Sequence, residues 1–102
     1  MPAGVRTLAA KSRLVWTRSA LDDLESIRLY LGENADEETM RTEGLRIWES
    51  VSRLRDFPDS GRPGRVPMTR ELVAPPYVIP YRCREEAIEI LAVFHSRQRR
   101  KE

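Results

Sequence analysis

The stretch Tyr77-Val78-Ile79-Pro80-Tyr81-Arg82-Cys83-Arg84-Glu85-Glu86-Ala87-Ile88-Glu89-Ile90-Leu91-Ala92-Val93-Phe94-His95 decides the fold class. Its period is two. Tyr77, Ile79, Tyr81 and Cys83 share one face of a strand, Arg84-Glu85-Glu86 turns the chain, and Ala87 to His95 alternates again. From Ile90 to Phe94 both faces are apolar, which predicts a central strand covered on both sides. Pro80 has no N–H to give a ladder, so its strand is expected at an edge or at a bulge. Cys83 closes an apolar face and is expected to be a small buried hydrophobe. Upstream, Pro75-Pro76 breaks the chain, and Thr69-Arg70-Glu71-Leu72-Val73 reads as another short strand. The segment Ser60-Gly61-Arg62-Pro63-Gly64-Arg65 before it is a loop by composition.

Toward the N-terminus the period changes. Arg13-Leu14-Val15-Trp16-Thr17 is a short β-prone run. Ser19 opens a helix with Asp22 reaching back to it, Ala20, Leu24, Ile27 and Leu31 form its apolar stripe, and Gly32 is the expected stop. Asn34-Ala35-Asp36-Glu37 repeats the start signal. Met40, Gly44, Ile47, Val51 and Leu54 continue as a second stripe, which Leu45 and Trp48 widen into one broad buried face. Phe57-Pro58 ends that helix. A two-residue connection around Glu33 and Asn34 implies an antiparallel helical hairpin. The expected architecture is an α+β fold of order β-α-α-β-β-β, the hairpin packed on one face of a small, mainly antiparallel sheet.

A chain of 102 residues makes one domain, and 40% hydrophobic content is enough to fill a modest core. Residues 1–12 read as a flexible lead-in, 13–98 as the domain and 99–102 as a frayed tail. A single Cys83 excludes a disulfide framework and a thiol zinc site. With neither a spanning helix nor a secretory leader legible, a cytoplasmic protein without membrane contact, cofactor or metal is expected. Residues 1–60 carry 9 Lys/Arg and 11 Asp/Glu, whereas 61–102 carry 9 and 5. The positive second half favours an anionic partner there, unless the charge serves solubility alone.

The element order and the residues at its joints resemble the ParE/RelE superfamily of toxins. The resemblance rests on Trp16, Ala20-Leu21-Asp22-Asp23-Leu24, Ile27 with Tyr30, Phe57-Pro58, Gly61-Arg62-Pro63-Gly64-Arg65 and Thr69-Arg70-Glu71-Leu72. It continues through Tyr77-Val78-Ile79-Pro80-Tyr81-Arg82 and Ile88-Glu89-Ile90-Leu91 to His95-Ser96-Arg97-Gln98, covering about residues 13–98. It implies the toxin of a type II toxin–antitoxin pair, neutralised by a cognate antitoxin with an amphipathic, acidic C-terminal segment. ParE-like members are associated with inhibition of DNA gyrase, and RelE-like members cleave mRNA on the ribosome. The Pro-Gly-Arg loop and the His-Ser-Arg-Gln ending lean toward the ParE-like function. The tail also lacks the tyrosine that RelE-like nucleases carry. An inactive domain that keeps only the antitoxin groove is a third alternative.

Candidate residues follow. Arg62, Arg65, Arg70, Arg82 and Arg97 offer guanidinium forks for phosphate or carboxylate, and are expected to bind the target unless they pair with Glu71, Glu85 or Glu89. If the sheet pairs as expected, Arg70, Arg82 and His95 converge on one concave surface. In the nuclease alternative Arg82, His95 and Arg97 divide proton transfer and charge stabilisation, since histidine titrates near neutrality. A hydrogen-bonded structural histidine closing the strand is the other reading. Leu24, Ile27, Leu31, Ile47, Trp48 and Val51 are expected to bind the antitoxin. Tyr77, Tyr81 and Trp48 are expected in the core rather than as base-stacking platforms, and Glu71 as a surface ion-pair partner.

Overall fold

A computed structural model describes residues 13–96. Strand β1 (Arg13–Trp16) leads into helices α1 (Arg18–Asn34) and α2 (Glu37–Ser52), the latter extended by a 3-10 turn, Arg53–Arg55. Strands β2 (Arg62–Pro63), β3 (Arg70–Ala74), β4 (Tyr77–Arg84), β5 (Ala87–Ile90) and β6 (Phe94–His95) follow. The described strands form one sheet in the order β1-β5-β4-β3-β2, with β6 pairing β4 beyond the end of β5. All neighbours are antiparallel except β1 and β5, which run parallel because the whole helical hairpin and three strands intervene. The α+β architecture with a hairpin on one sheet face therefore stands.

The first helix begins one cap earlier than the Ser19 signal. Thr17 is the N-cap: its hydroxyl accepts Ala20 N–H at 3.2 Å and donates to the Ile90 carbonyl at 2.8 Å, stitching the helix start to β5. The helix runs through Gly32, which meets no neighbour that would demand a stop, and ends at Asn34. Asp36 caps α2 by accepting Thr39 N–H at 2.8 Å, with Glu37 and Glu38 in the first turn. The hairpin link is therefore Ala35-Asp36 rather than Glu33-Asn34.

Ala20, Ile47, Val51 and Leu54 meet Tyr77, Ile79, Tyr81, Ile88, Ile90 and Val93 in one core. The structure decides three expectations for these strands. Pro80 lies in an interior strand, between β3 and the β5–β6 side, so the edge alternative fails, while the bulge alternative holds in the pairing: from Tyr81↔Ile90 to Val78↔Phe94 the partner strand runs one residue longer than β4. The sheet tolerates it because the neighbouring strand is interrupted there. Pro80 turns its carbonyl to Leu91 N–H (2.9 Å), and in an extended residue the nitrogen faces the same side, so the missing donor falls opposite the gap. Accordingly, Ala87 to His95 is two strands, not one. Residues 91–93 leave the ladder, and Asp23 Oδ2 accepts the Val93 N–H at 2.9 Å. Nor is β5 covered on both sides: Ile88 and Ile90 are buried, while Ala87 and Glu89 are half-exposed on the outer face.

Cys83 is exposed, since it lies near the free end of β4 beyond the reach of the helices. Leu45 and Trp48 are 50% and 54% exposed, so α2 buries a narrower face than its stripe predicts. No helix among the described residues is long and apolar enough to cross a membrane.

Candidate functional site

Helix α1 buries only Ala20 completely. Leu24 and Ile27 pack against the core in part, and Leu31 is half-buried near the end of the helix. Two grooves open beneath it. One, about 500 Å³, runs along the β1 side and is lined by Trp16, Leu24, Ile27, Leu31, Met40, Ile47 and Trp48. The other, about 570 Å³, lies beside β6 and is lined by Ile27, Tyr30, Leu31, Pro76, Tyr77, Val93 and His95. Five of the six residues expected to meet an antitoxin thus line one groove. Val51 does not: it is wholly buried in the core, on the second helix of the hairpin. Leu21, Leu29 and Tyr30 on the same helix are exposed as well.

The arginines behave differently. Arg62 gives Nε (3.0 Å) and a terminal nitrogen (2.9 Å) to one oxygen of Glu71, which is buried at 7% exposure rather than lying on the surface. Arg70 donates to the carbonyls of Gly61 (2.8 Å) and Asp59 (3.3 Å). Arg82 donates to Glu89 across the strand pair at 2.6 Å, and this bond, more than charge alone, holds the Glu89 carboxyl below its ordinary range. Arg65 stands in the loop after β2 with partners of its own, and Arg97 lies outside the described residues. The motif Gly61-Arg62-Pro63-Gly64-Arg65 thus has a structural task. Gly61 N–H meets the Tyr81 hydroxyl, Arg62 neutralises Glu71, and Gly64 N–H closes onto the Thr69 carbonyl.

Arg70, Arg82 and His95 do not converge. Strict alternation from Glu89 would place His95 on the outer face with Arg82. The interruption at 91–93 shifts the parity by one, and His95 instead pairs with Tyr77, on the helix-facing side that Tyr81 shares. Its ring meets Tyr77 edge-on at 5.8 Å. Arg82 is therefore on the opposite face and five residues along β4, roughly 16 Å away in register. Arg70 faces the helix side, but opposite Tyr81, four residues from His95's partner.

Three other residues matter to the site. Asp23 satisfies the N–H freed by the strand interruption, although its sequence signal was only that of an acidic helix start. Glu43 lines both grooves and is largely buried, a position that a charged residue inside a helix gives no reason to expect. Tyr77, buried beside Glu43, has its pKa pushed up to about 12, by desolvation first and then by the neighbouring carboxylate. Among the described residues no cluster of His, Cys, Asp and Glu could hold a metal ion.

Known proteins share this arrangement. The model of the ParE toxin of type II toxin–antitoxin system, parDE, matches residues 14–100. The Sinorhizobium fredii protein Y4kP is 42% identical over 91 residues, covering 87% of this chain and 93% of its own length. Toxin RelE2 of Caulobacter vibrioides is 32% identical over 85 residues, with 83% and 96% covered. Among solved structures, the chromosomal ParDE system from P. aeruginosa superposes with a TM-score of 0.76 at 29% identity, over 83% of this chain and 96% of that one. The RelBE2 complex of Mycobacterium tuberculosis shares the fold, with a TM-score of 0.52 at 18% identity over 85% and 93%. The chain therefore belongs to the ParE/RelE superfamily, as a toxin of the ParE family of type II toxin–antitoxin systems.

Proposed function

We propose that this toxin arrests growth by binding DNA gyrase as a protein ligand, and that its antitoxin silences it by filling the grooves beneath the hairpin. The observation that carries the target assignment is the separation of Arg82 from His95 across the sheet. RNA cleavage needs a base for the 2′-hydroxyl, a cation for the phosphorane and an acid for the leaving oxygen, all within reach of one phosphate. Groups on opposite faces do not meet that condition. The match to the parDE toxin model supports the same reading. On the antitoxin side, half-exposed Trp48 and partly buried Leu24, Ile27 and Leu31 suit an amphipathic helix laid in a groove. Covering them is worth up to roughly 1.5–3 kcal/mol per side chain fully withdrawn from water.

The 32% identity to Toxin RelE2 keeps a second reading, a ribosome-dependent ribonuclease. Pulse-labelling of new protein and new DNA in the first minutes after induction separates the two. The expected result is early loss of DNA synthesis with protein synthesis continuing, and substantial growth inhibition retained in His95→Gln. A nuclease using His95 would lose about 10²–10⁴-fold in cleavage on that change. An immediate halt in protein synthesis, abolished by His95→Gln, would establish the ribonuclease instead. Induction without any growth defect would leave only the antitoxin-binding domain.

A further inference from the structure

Glu43 stands where the two grooves meet and lines both of them. Its side chain is 19% exposed, and its Oε1 is buried without a hydrogen-bond partner. Arg46 Nε lies 3.9 Å from that oxygen, an ion pair too long for a hydrogen bond. The Tyr77 hydroxyl and Arg46 already sit beside this carboxylate, but Oε1 itself meets no donor at hydrogen-bond distance. An unpaired buried oxygen costs folding free energy, which leaves a place for an incoming donor. The chain's own cations lie to one side of it: Arg46 beside it, and Arg28 and Arg41 along the β1-side groove. The groove beside β6 is lined by Asp23 and Glu43 with no Lys or Arg, and Asp23 is already engaged by Val93 N–H. The hairpin from residue 18 to 52 carries nine Asp/Glu against four Arg.

We infer that the groove beside β6 receives an apolar antitoxin segment bearing an arginine or lysine, whose cationic head group pairs with Glu43. The inference rests on the proposed antitoxin site and adds the chemistry of its occupant. An acidic side chain entering the groove beside β6 meets Asp23 and Glu43 with no Lys or Arg lining it. A basic residue between apolar ones gains both the charge pair and the apolar walls.

The test uses the full chain and the full-length antitoxin encoded beside it, with Kd measured by calorimetry. Glu43→Gln keeps the shape and removes the charge. It is expected to weaken binding about 30-fold or more, the cost of truncating one side of a buried charge pair. Glu49→Gln, an exposed change on the same helix, is expected to leave Kd unchanged. The free Glu43→Gln chain is expected to melt no lower than the parent. Glu43→Arg should abolish binding, and exchanging the groove-facing antitoxin cation for Glu should restore it. Wild-type affinity in Glu43→Gln, alongside weakened binding in Trp48→Ala, overturns the inference and spares the groove assignment. Wild-type affinity in both variants overturns both. A loss in Glu43→Gln matched by a fall in its Tm assigns Glu43 to the fold and overturns the inference as well.

Discussion

Tyr81 donates its hydroxyl to the Pro58 carbonyl at 2.7 Å and accepts Gly61 N–H at 2.9 Å, so one buried side chain ties both ends of the loop that follows the hairpin. Burial, more than any neighbouring charge, raises its pKa and keeps it a neutral donor. Gly61 has no room for a side chain: an added Cβ would lie 2.7 Å from the Tyr81 ring and hydroxyl and 2.9 Å from the Glu71 carbonyl. Gly61→Ala is therefore expected to destabilise the fold by about 1–3 kcal/mol, through overpacking against a well-ordered ring. For a domain of this size that is a fall in Tm of roughly 4–8 °C per kcal/mol, readable in a thermal melt. A variant that melts with the parent would mean that the loop shifts freely and that the glycine has no structural task. The same reasoning governs Arg62 and Arg70, which hold Glu71 and the Gly61 carbonyl in place.

The elements differ in how firmly they are held. Strands β4 and β5 supply Tyr81, Ile79, Ile88 and Ile90 to the fully buried set, whereas α1 supplies Ala20 alone. Its cap, Thr17, and the Asp23 bond to Val93 anchor only its first two turns. Beyond them, Ile27 is only partly buried against the core and Leu31 lines both grooves. Local opening follows such contact density, so amides in the second half of α1 should exchange with solvent faster than those of β4 and β5. Hydrogen exchange of the free toxin and of its complex with the antitoxin checks this. The expected outcome is low protection from about Ile27 to Asn34 in the free chain, and a marked rise on binding. Uniform protection across helix and sheet would show the hairpin to be rigid without a partner.

For the molecule as a whole, both tryptophans of the sequence, Trp16 and Trp48, line the same groove. Intrinsic fluorescence therefore reports directly on its occupation. Antitoxin binding should shift the emission to the blue as water leaves the indoles. Trp48→Phe should remove most of the shift, because Trp48 is 54% exposed and Trp16 is already packed against the core. An unchanged spectrum in a stoichiometric complex would move the antitoxin to another face.

How far such a fold is legible in its sequence depends on the range of the interactions that make it. The segment Gly61-Arg62-Pro63-Gly64-Arg65, read as a loop, carries the short strand β2 through its pairing with β3. Local pattern determined the other elements: period two from Tyr77 to Ile90, two helical stripes, and a helix start within Asn34-Ala35-Asp36-Glu37. These follow from neighbours in the chain, and with the family resemblance they sufficed for the α+β hairpin-on-sheet architecture and the toxin assignment. Register did not follow. Alternation separates Arg82 from Tyr81 with certainty, but only the three residues that leave the ladder at 91–93 send His95 to the other face from Arg82. That break is stabilised by Asp23, some seventy positions away, and matched by Pro80 on the next strand. Glu43 reads as one more acid on a solvated helix. It becomes a buried carboxylate at the meeting of two grooves only through the way the hairpin packs on the sheet, which no local run of residues determines.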